Sequence, residues 1–344
     1  MTGKEAVLAT MNQQPTYRPV VTLITGGEWY FNYANQPFAD AKTSPEKICA
    51  VFEKAYRSIG HDMIWPGAGL LNYPTHCLGA PITDDGTHTP ALTAPALDNL
   101  DKLDELPWKA ALENPIIEAM NTSSHLIGQA IGDETFVMPT QWGPFTTAAR
   151  IMGAEQLMIA TIQQPDTLKE LIKRSADFVW AMCERMLEHP NVMGVNFSEP
   201  VASGDMISPT TFEQFVEPDL GDLINKTKAA GKYTMMHICG NTTPILPKIK
   251  AMAPHAFSLE AKVDLEVAKE VLGGQVCVAG NVSPTEAFLN GSPDEVIAVA
   301  RNCLEIWGDD PGYILTVGCD FPREVPLDNI KALMLLKGYD SLNL

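Results

Sequence analysis

Long apolar runs are missing from this chain: no segment approaches the roughly 18 to 20 consecutive apolar residues of a membrane span. Its beginning, MTGKEAVLATMNQQPTYRP, has no apolar stretch of the kind a signal peptide carries, so a cytoplasmic protein away from membranes is expected. Positive charge is also scarce. Lysine and arginine number 24 against 42 aspartates and glutamates, a formal charge of −18 that repels a phosphate backbone and excludes nucleic acid as an expected partner. Cysteine is thin: seven, an odd number across 344 residues, is not the framework of a disulfide-stapled secreted domain. The thiols are therefore read as reduced, and a cysteine with a function is a metal ligand or a nucleophile. Finally, no glycine-rich loop of the G-x-G-x-x-G or G-x-x-x-x-G-K type follows any strand-like run, which argues against a nucleotide-binding fold.

What the chain does have is a regular alternation of apolar strand-like runs and amphipathic helices, the pattern of an α/β protein with a parallel sheet. Eight strand candidates cover residues 18–24, 61–67, 135–143, 191–200, 233–240, 255–263, 275–283 and 312–320. Most are near-continuous apolar stretches, as strands buried on both faces are. In SPEKICAVFEKAYRSIG the apolar residues Ile48, Val51, Phe52, Ala55, Tyr56 and Ile59 recur with helical period behind Ser44 as N-cap and Pro45. The Ser-Pro start recurs at Ser208, Ser283 and Ser292, and the last two carry Glu286 and Glu295 three residues on, the spacing of a capping box. Between Gly67 and Asn114 the rhythm gives way to Pro, Gly, Asp and Thr, an excursion from the repeat. The expected fold is a single (β/α)8 barrel with this N-terminal excursion between strands two and three, one domain over residues 1–344. A doubly wound open sheet is the alternative.

Chemistry in such a barrel gathers at the C-terminal ends of the strands. Those ends carry Asn196 and Glu199 on strand four, His237 and Cys239 on five, Glu260 on six, Asn281 on seven, and Cys319 and Asp320 on eight. His237 and Cys239 are two apart and share a face. With Cys319 they make an imidazole and two thiols, a set that suits tetrahedral zinc and leaves a fourth position open for catalysis. The plain alternative is that the two cysteines are small buried hydrophobes and the histidine a hydrogen-bonding group; the strand-end positions favour the metal. Cys49, Cys77, Cys183, Cys277 and Cys303, and the histidines at 61, 76, 88, 125, 189 and 255, are read as structural.

HICGNT, GNVSP, VASGDMISPTTFEQFVEP, GPFTTAARIMG and GCDFPREVPLDNIKAL together resemble the uroporphyrinogen decarboxylase superfamily, within it the zinc-dependent corrinoid methyltransferases. The resemblance spans nearly the whole chain and implies a (β/α)8 barrel with Zn2+ on His237, Cys239 and Cys319. It further implies an enzyme that moves a methyl group between a corrinoid and a zinc-activated thiol such as coenzyme M. The arginine-rich stretch with which decarboxylases of the superfamily grip substrate carboxylates is absent after strand one, where the chain reads RPVVTLITGGEWYFNYA. No D-x-H-x-x-G corrinoid motif is present either, so methylcobalamin is expected on a corrinoid-binding partner protein or free in solution. Glu199, Glu260 and Asp320 are candidates for the fourth metal position, Glu199 first and counted with the catalytic residues. Trp142, Asn196, Met206 and Asn281 are expected to shape the cofactor cavity. The opposite direction, from an aryl methyl ether or methylamine to Co(I), is the alternative reading. Behind it stand a decarboxylase and a non-catalytic zinc-binding protein.

Overall fold

The computed structural model describes residues 1–86 and 88–339; Thr87 and residues 340–344, which the single-domain reading includes, lie outside the described residues. Eight strand positions close into a barrel in chain order. They are β1 (Val20–Val21), β2 (Met63–Ile64), β3 in two pieces (Phe136–Val137 and Thr140–Trp142), β4 (Gly194–Ser198), β5 (Tyr233–His237), β6 (Ala256–Ser258), β7 (Cys277–Val282) and β8 (Tyr313–Val317). A continuous parallel ladder runs from β1 through β8, β7, β6, β5 and β4 to the second piece of β3, while β2 pairs with the first piece. The circle is completed between β1 and β2, where Asp62 N–H donates to Val21 O at 3.0 Å and Thr22 Oγ1 to Met63 O at 2.7 Å. All eight expected strands are present. The third is divided because Pro139 has no N–H to give its neighbour, although its carbonyl still accepts from Asn196 at 2.8 Å.

Burial on both faces explains the apolar runs. Outward-facing Gln141 reaches Met186 on the helix Pro165–Leu187, whereas Thr140 and Asn196 meet inside the barrel, Asn196 Nδ2 donating to Thr140 Oγ1 at 2.9 Å. Ser44 caps the helix Pro45–Ile59, whose Ile48, Val51, Phe52, Ala55 and Ile59 are buried, and Ser292 with Glu295 makes a complete capping box ahead of Pro293–Trp307. Ser208 caps Pro209–Phe215.

Ser283 corrects the expectation. Its hydroxyl accepts from Glu286 N–H at 3.1 Å, but residues 284–290 run as turns, with Phe288 N–H bonding Ser283 O and Asn290 N–H bonding Thr285 O. Those five-residue closures are wider than the i−4 ladder of an α-helix, and the helix begins one Ser-Pro later. The excursion holds a short helix, Tyr73–Cys77, a small antiparallel ladder pairing Ile82–Thr83 with Ala91–Leu92, and a 3-10 turn, Leu100–Glu105. No helix among the described residues is long and apolar enough to cross a membrane.

Candidate metal centre at the barrel mouth

β5 ends at His237, and the chain then turns so that Cys239 follows on the same side. Gly240 makes that turn possible: its φ of +74° is strained for any other residue, and a Cβ there would collide with Ser203 and Asp205. Gly240 N–H is held by the Glu260 carboxylate from the end of β6. Two strands separate β5 from β8, yet the loop after β8 brings Cys319 Sγ to 3.3 Å from Cys239 Sγ. His237 Nε2 lies 3.2 Å from Cys239 Sγ and 3.8 Å from Cys319 Sγ. Tetrahedral zinc sets nitrogen and sulfur donors about 3.5 to 3.8 Å apart. The three donors therefore converge as a metal would need, within a few tenths of an ångström, and among the described residues they are the group of three that can hold a metal.

The surroundings orient the imidazole toward the sulfurs and favour the thiolate at one of the two cysteines. His237 is buried, and its Nδ1 is 2.9 Å from Ser258 Oγ. With Nδ1–H donating to that oxygen, Nε2 keeps its lone pair toward the sulfurs. Cys319 sits well below the ordinary thiol range, because Cys239 hydrogen-bonds to its sulfur and, secondarily, because His237 faces it. Cys239 is driven up by that same neighbouring sulfur, by burial and by the carboxylates of Glu260 and Asp320. Two adjacent sulfurs that cannot both ionise unaided are a pair that a divalent cation would stabilise as thiolates.

The remaining expected residues fall into two groups. Trp142, Ser198, His237 and Ser258 are consecutive register partners across β3 to β6, so Trp142 faces the interior at the level of His237, two strands away. Its indole N–H donates to Asn72 Oδ1 of the excursion at 3.2 Å. Met206, 51% exposed, stands on the loop whose Asp205 accepts from Asn241 N–H at 3.1 Å, beside the Cys239 turn. These two line the mouth.

The others are engaged elsewhere. Asn196 donates to Thr140 and Ser198, each at 2.9 Å, in the barrel interior. Asn281 donates to Val263 O at 2.8 Å and Glu260 O at 3.4 Å, tying down the loop after β6. Glu199 is fully buried, with its carboxylate accepting from Phe145 N–H at 3.0 Å and Thr146 N–H at 2.7 Å. It thus plugs the N-terminus of the helix Pro144–Met152 instead of joining the sulfurs, and burial lifts its pKa to about 7 against those hydrogen bonds. Its own N–H bonds His237 O at 2.8 Å, which couples that plug to the metal strand. Asp320 accepts from Thr25 Oγ1, Gly26 N–H and Phe321 N–H, bracing the loop that carries Cys319.

Two residues of the mouth escaped the sequence reading. Ser258 had a signal: it ends β6 on the face it shares with Glu260. Arg150 reads as an ordinary surface cation in TTAARIMG, but its guanidinium lies over the Trp142 ring, 5.2 Å from the centroid, and burial lowers its pKa. A cavity of about 710 Å3 opens at the other end of the barrel, where Arg18 and Trp307 line it, far from this chemistry.

The family model for uroporphyrinogen decarboxylase (URO-D) matches residues 2–336. The methylcobamide:CoM methyltransferase of Methanosarcina barkeri is 27% identical over 342 residues, covering 97% of this chain and 96% of that protein. A uroporphyrinogen decarboxylase of Geobacter metallireducens is 30% identical, but over 127 residues, 37% of this chain and 36% of its own length. Among solved structures, a methyltransferase from Methanosarcina mazei superimposes with a TM-score of 0.85 at 24% identity, covering 98% of both chains.

Proposed function

The chain belongs to the uroporphyrinogen decarboxylase family, and from that premise we propose that it transfers methyl groups between a corrinoid and a small thiol at a zinc centre formed by His237, Cys239 and Cys319. Methyl transfer is the activity named for the relative that it matches end to end, whereas the decarboxylase match covers about a third of the chain. The observation that carries the finer reading is the convergence of one imidazole and two thiols, with sulfurs 3.3 Å apart, at the open end of the barrel. Zinc bound there would lower the pKa of an added thiol and present it as the nucleophilic thiolate.

The chain's own residues do the rest. Ser258 fixes the His237 ring so that Nε2 faces the sulfurs. Cys239 and Cys319, once deprotonated, cancel the charge of a divalent cation, so that a further thiolate stays electron-rich. Glu260 and Asp320 hold the two loops that carry the cysteines. Trp142 and Met206 wall the opening through which a corrinoid must approach, and no segment of this chain supplies a corrinoid motif, so the corrinoid arrives on a partner protein. The whole of residues 1–344 acts as one catalytic unit.

The reading is tested by following methylcobalamin absorbance with the zinc-loaded protein across a panel of thiols. Thiol-dependent loss of the methyl-Co(III) spectrum supports it. An unchanged spectrum with every thiol, together with demethylation of an aryl methyl ether or methylamine by Co(I), would replace it with the opposite direction of transfer.

A further inference from the structure

Cys239 and Cys319 lie closer to each other than a metal would hold them. Their sulfurs are 3.3 Å apart, against the roughly 3.8 Å that separates two thiolates on tetrahedral zinc. A disulfide needs about 2.05 Å, which leaves about 1.2 Å to close, within reach of a change in side-chain torsion. Both thiols are free and half-buried at the open end of the barrel, where a molecule as small as a hydroperoxide can meet them. The remaining five cysteines are placed differently. Cys183, Cys277 and Cys303 are buried, and burial pushes the half-buried Cys49 and Cys77 up to about 11, so these two stay protonated and slow to react. Among the described residues, Cys239 and Cys319 are the one pair of cysteine sulfurs within hydrogen-bond distance of each other.

We propose that Cys239 and Cys319 form a reversible disulfide when the metal is absent and a hydroperoxide is present, which makes the centre sensitive to oxidation. One sulfur, as thiolate, attacks a peroxide oxygen; the O–O bond breaks, giving a sulfenic acid and hydroxide, and the hydroxide takes up the proton that the thiol released. The second sulfur then attacks the sulfenic sulfur, the S–S bond forms and water leaves. Two thiols thus give up two electrons and two protons, and one peroxide becomes two waters. The disulfide withdraws both sulfurs from the donor set and leaves His237 alone, so the oxidised chain cannot hold Zn2+. Bound Zn2+ in turn engages the sulfur lone pairs and slows the attack, and reduction by a dithiol restores the site.

The disulfide rests on the sulfur geometry; only the shielding by zinc rests on the proposed metal centre. The test takes the full chain, freed of metal by a chelator, and treats it with hydrogen peroxide. Free thiols, counted in denaturant with a chromogenic disulfide reagent, should fall by two from seven, and a dithiol should bring them back. Proteolytic mapping should find the peptide of Cys239 joined to that of Cys319 within one chain. Zinc-loaded protein should lose its thiols at least about tenfold more slowly. An unchanged thiol count, losses spread over the other five cysteines without the joined peptide, or a joined peptide found only in covalent dimers on a non-reducing gel overturns the proposal. Equal rates with and without zinc would leave the disulfide standing and contradict the metal centre. No step of the test involves a methyl group, so a failure of the proposed methyl transfer leaves its outcome unaffected.

Discussion

Ser258 Oγ lies 2.9 Å from Nδ1 of His237, one strand away in exact register, and so sets which imidazole nitrogen faces the two sulfurs. Removing that contact leaves the three donors in place but frees the ring to rotate and to change tautomer. Ser258→Ala should therefore weaken zinc binding by about 10- to 100-fold while the fold survives. Competition with a chromophoric chelator measures it; unchanged affinity would show that the hydroxyl does not position the ring.

Glu199 offers a contrast between ligand and plug. Both its oxygens take main-chain N–H groups of Phe145 and Thr146, so Glu199→Gln replaces one acceptor with an amide that must oppose a donor. The expected cost is about 1 to 3 kcal/mol in denaturant unfolding, with zinc stoichiometry preserved. Loss of zinc with stability intact would make Glu199 a ligand after all.

Gly143, which precedes that helix, has no side chain because the Glu199 carboxylate fills the space a Cβ would occupy. Its φ of −73° is open to any residue, so the objection to a larger side chain is steric alone. Gly143→Ala should cost about 1 to 3 kcal/mol, read from the shift of the urea midpoint, and a neutral effect would mean that Glu199 can move aside freely.

At the foot of the barrel, His61 is buried and its Nδ1 has no partner, so burial depresses its pKa to about 3 from 6.5. The unfolded chain binds this proton more readily, so stability is full above pH 6.5 and is lost as pH falls from there toward 3. The slope from this residue is at most about 1.4 kcal/mol per pH unit. His61→Gln should flatten the acid limb of a stability–pH profile in that window. An identical profile would contradict the assignment of a neutral, buried imidazole.

The strands were legible because burial on both faces writes itself as unbroken apolar sequence, and the Ser-Pro caps at 44, 208 and 292 marked helix starts by local hydrogen bonding alone. Ser283 failed on the same signal, since a cap supplies one hydrogen bond and the following turns are decided by what they pack on. The donor set was readable from the i, i+2 spacing of His237 and Cys239 and from the strand-end place of Cys319. Glu199 was not: its partners, Phe145 and Thr146, lie more than fifty residues away, and only the fold brings a helix N-terminus against it. Arg150 was equally hidden, because its place over the Trp142 ring can be seen only once the surroundings are assembled.

The most direct test of the central claim is zinc K-edge X-ray absorption on the purified protein before and after adding a small thiol. One imidazole and two sulfurs from His237, Cys239 and Cys319 should be joined by a further sulfur when the thiol is present, and Cys319→Ala should lose the metal. Protein that holds no zinc, or a zinc shell that is the same with and without thiol, would contradict it.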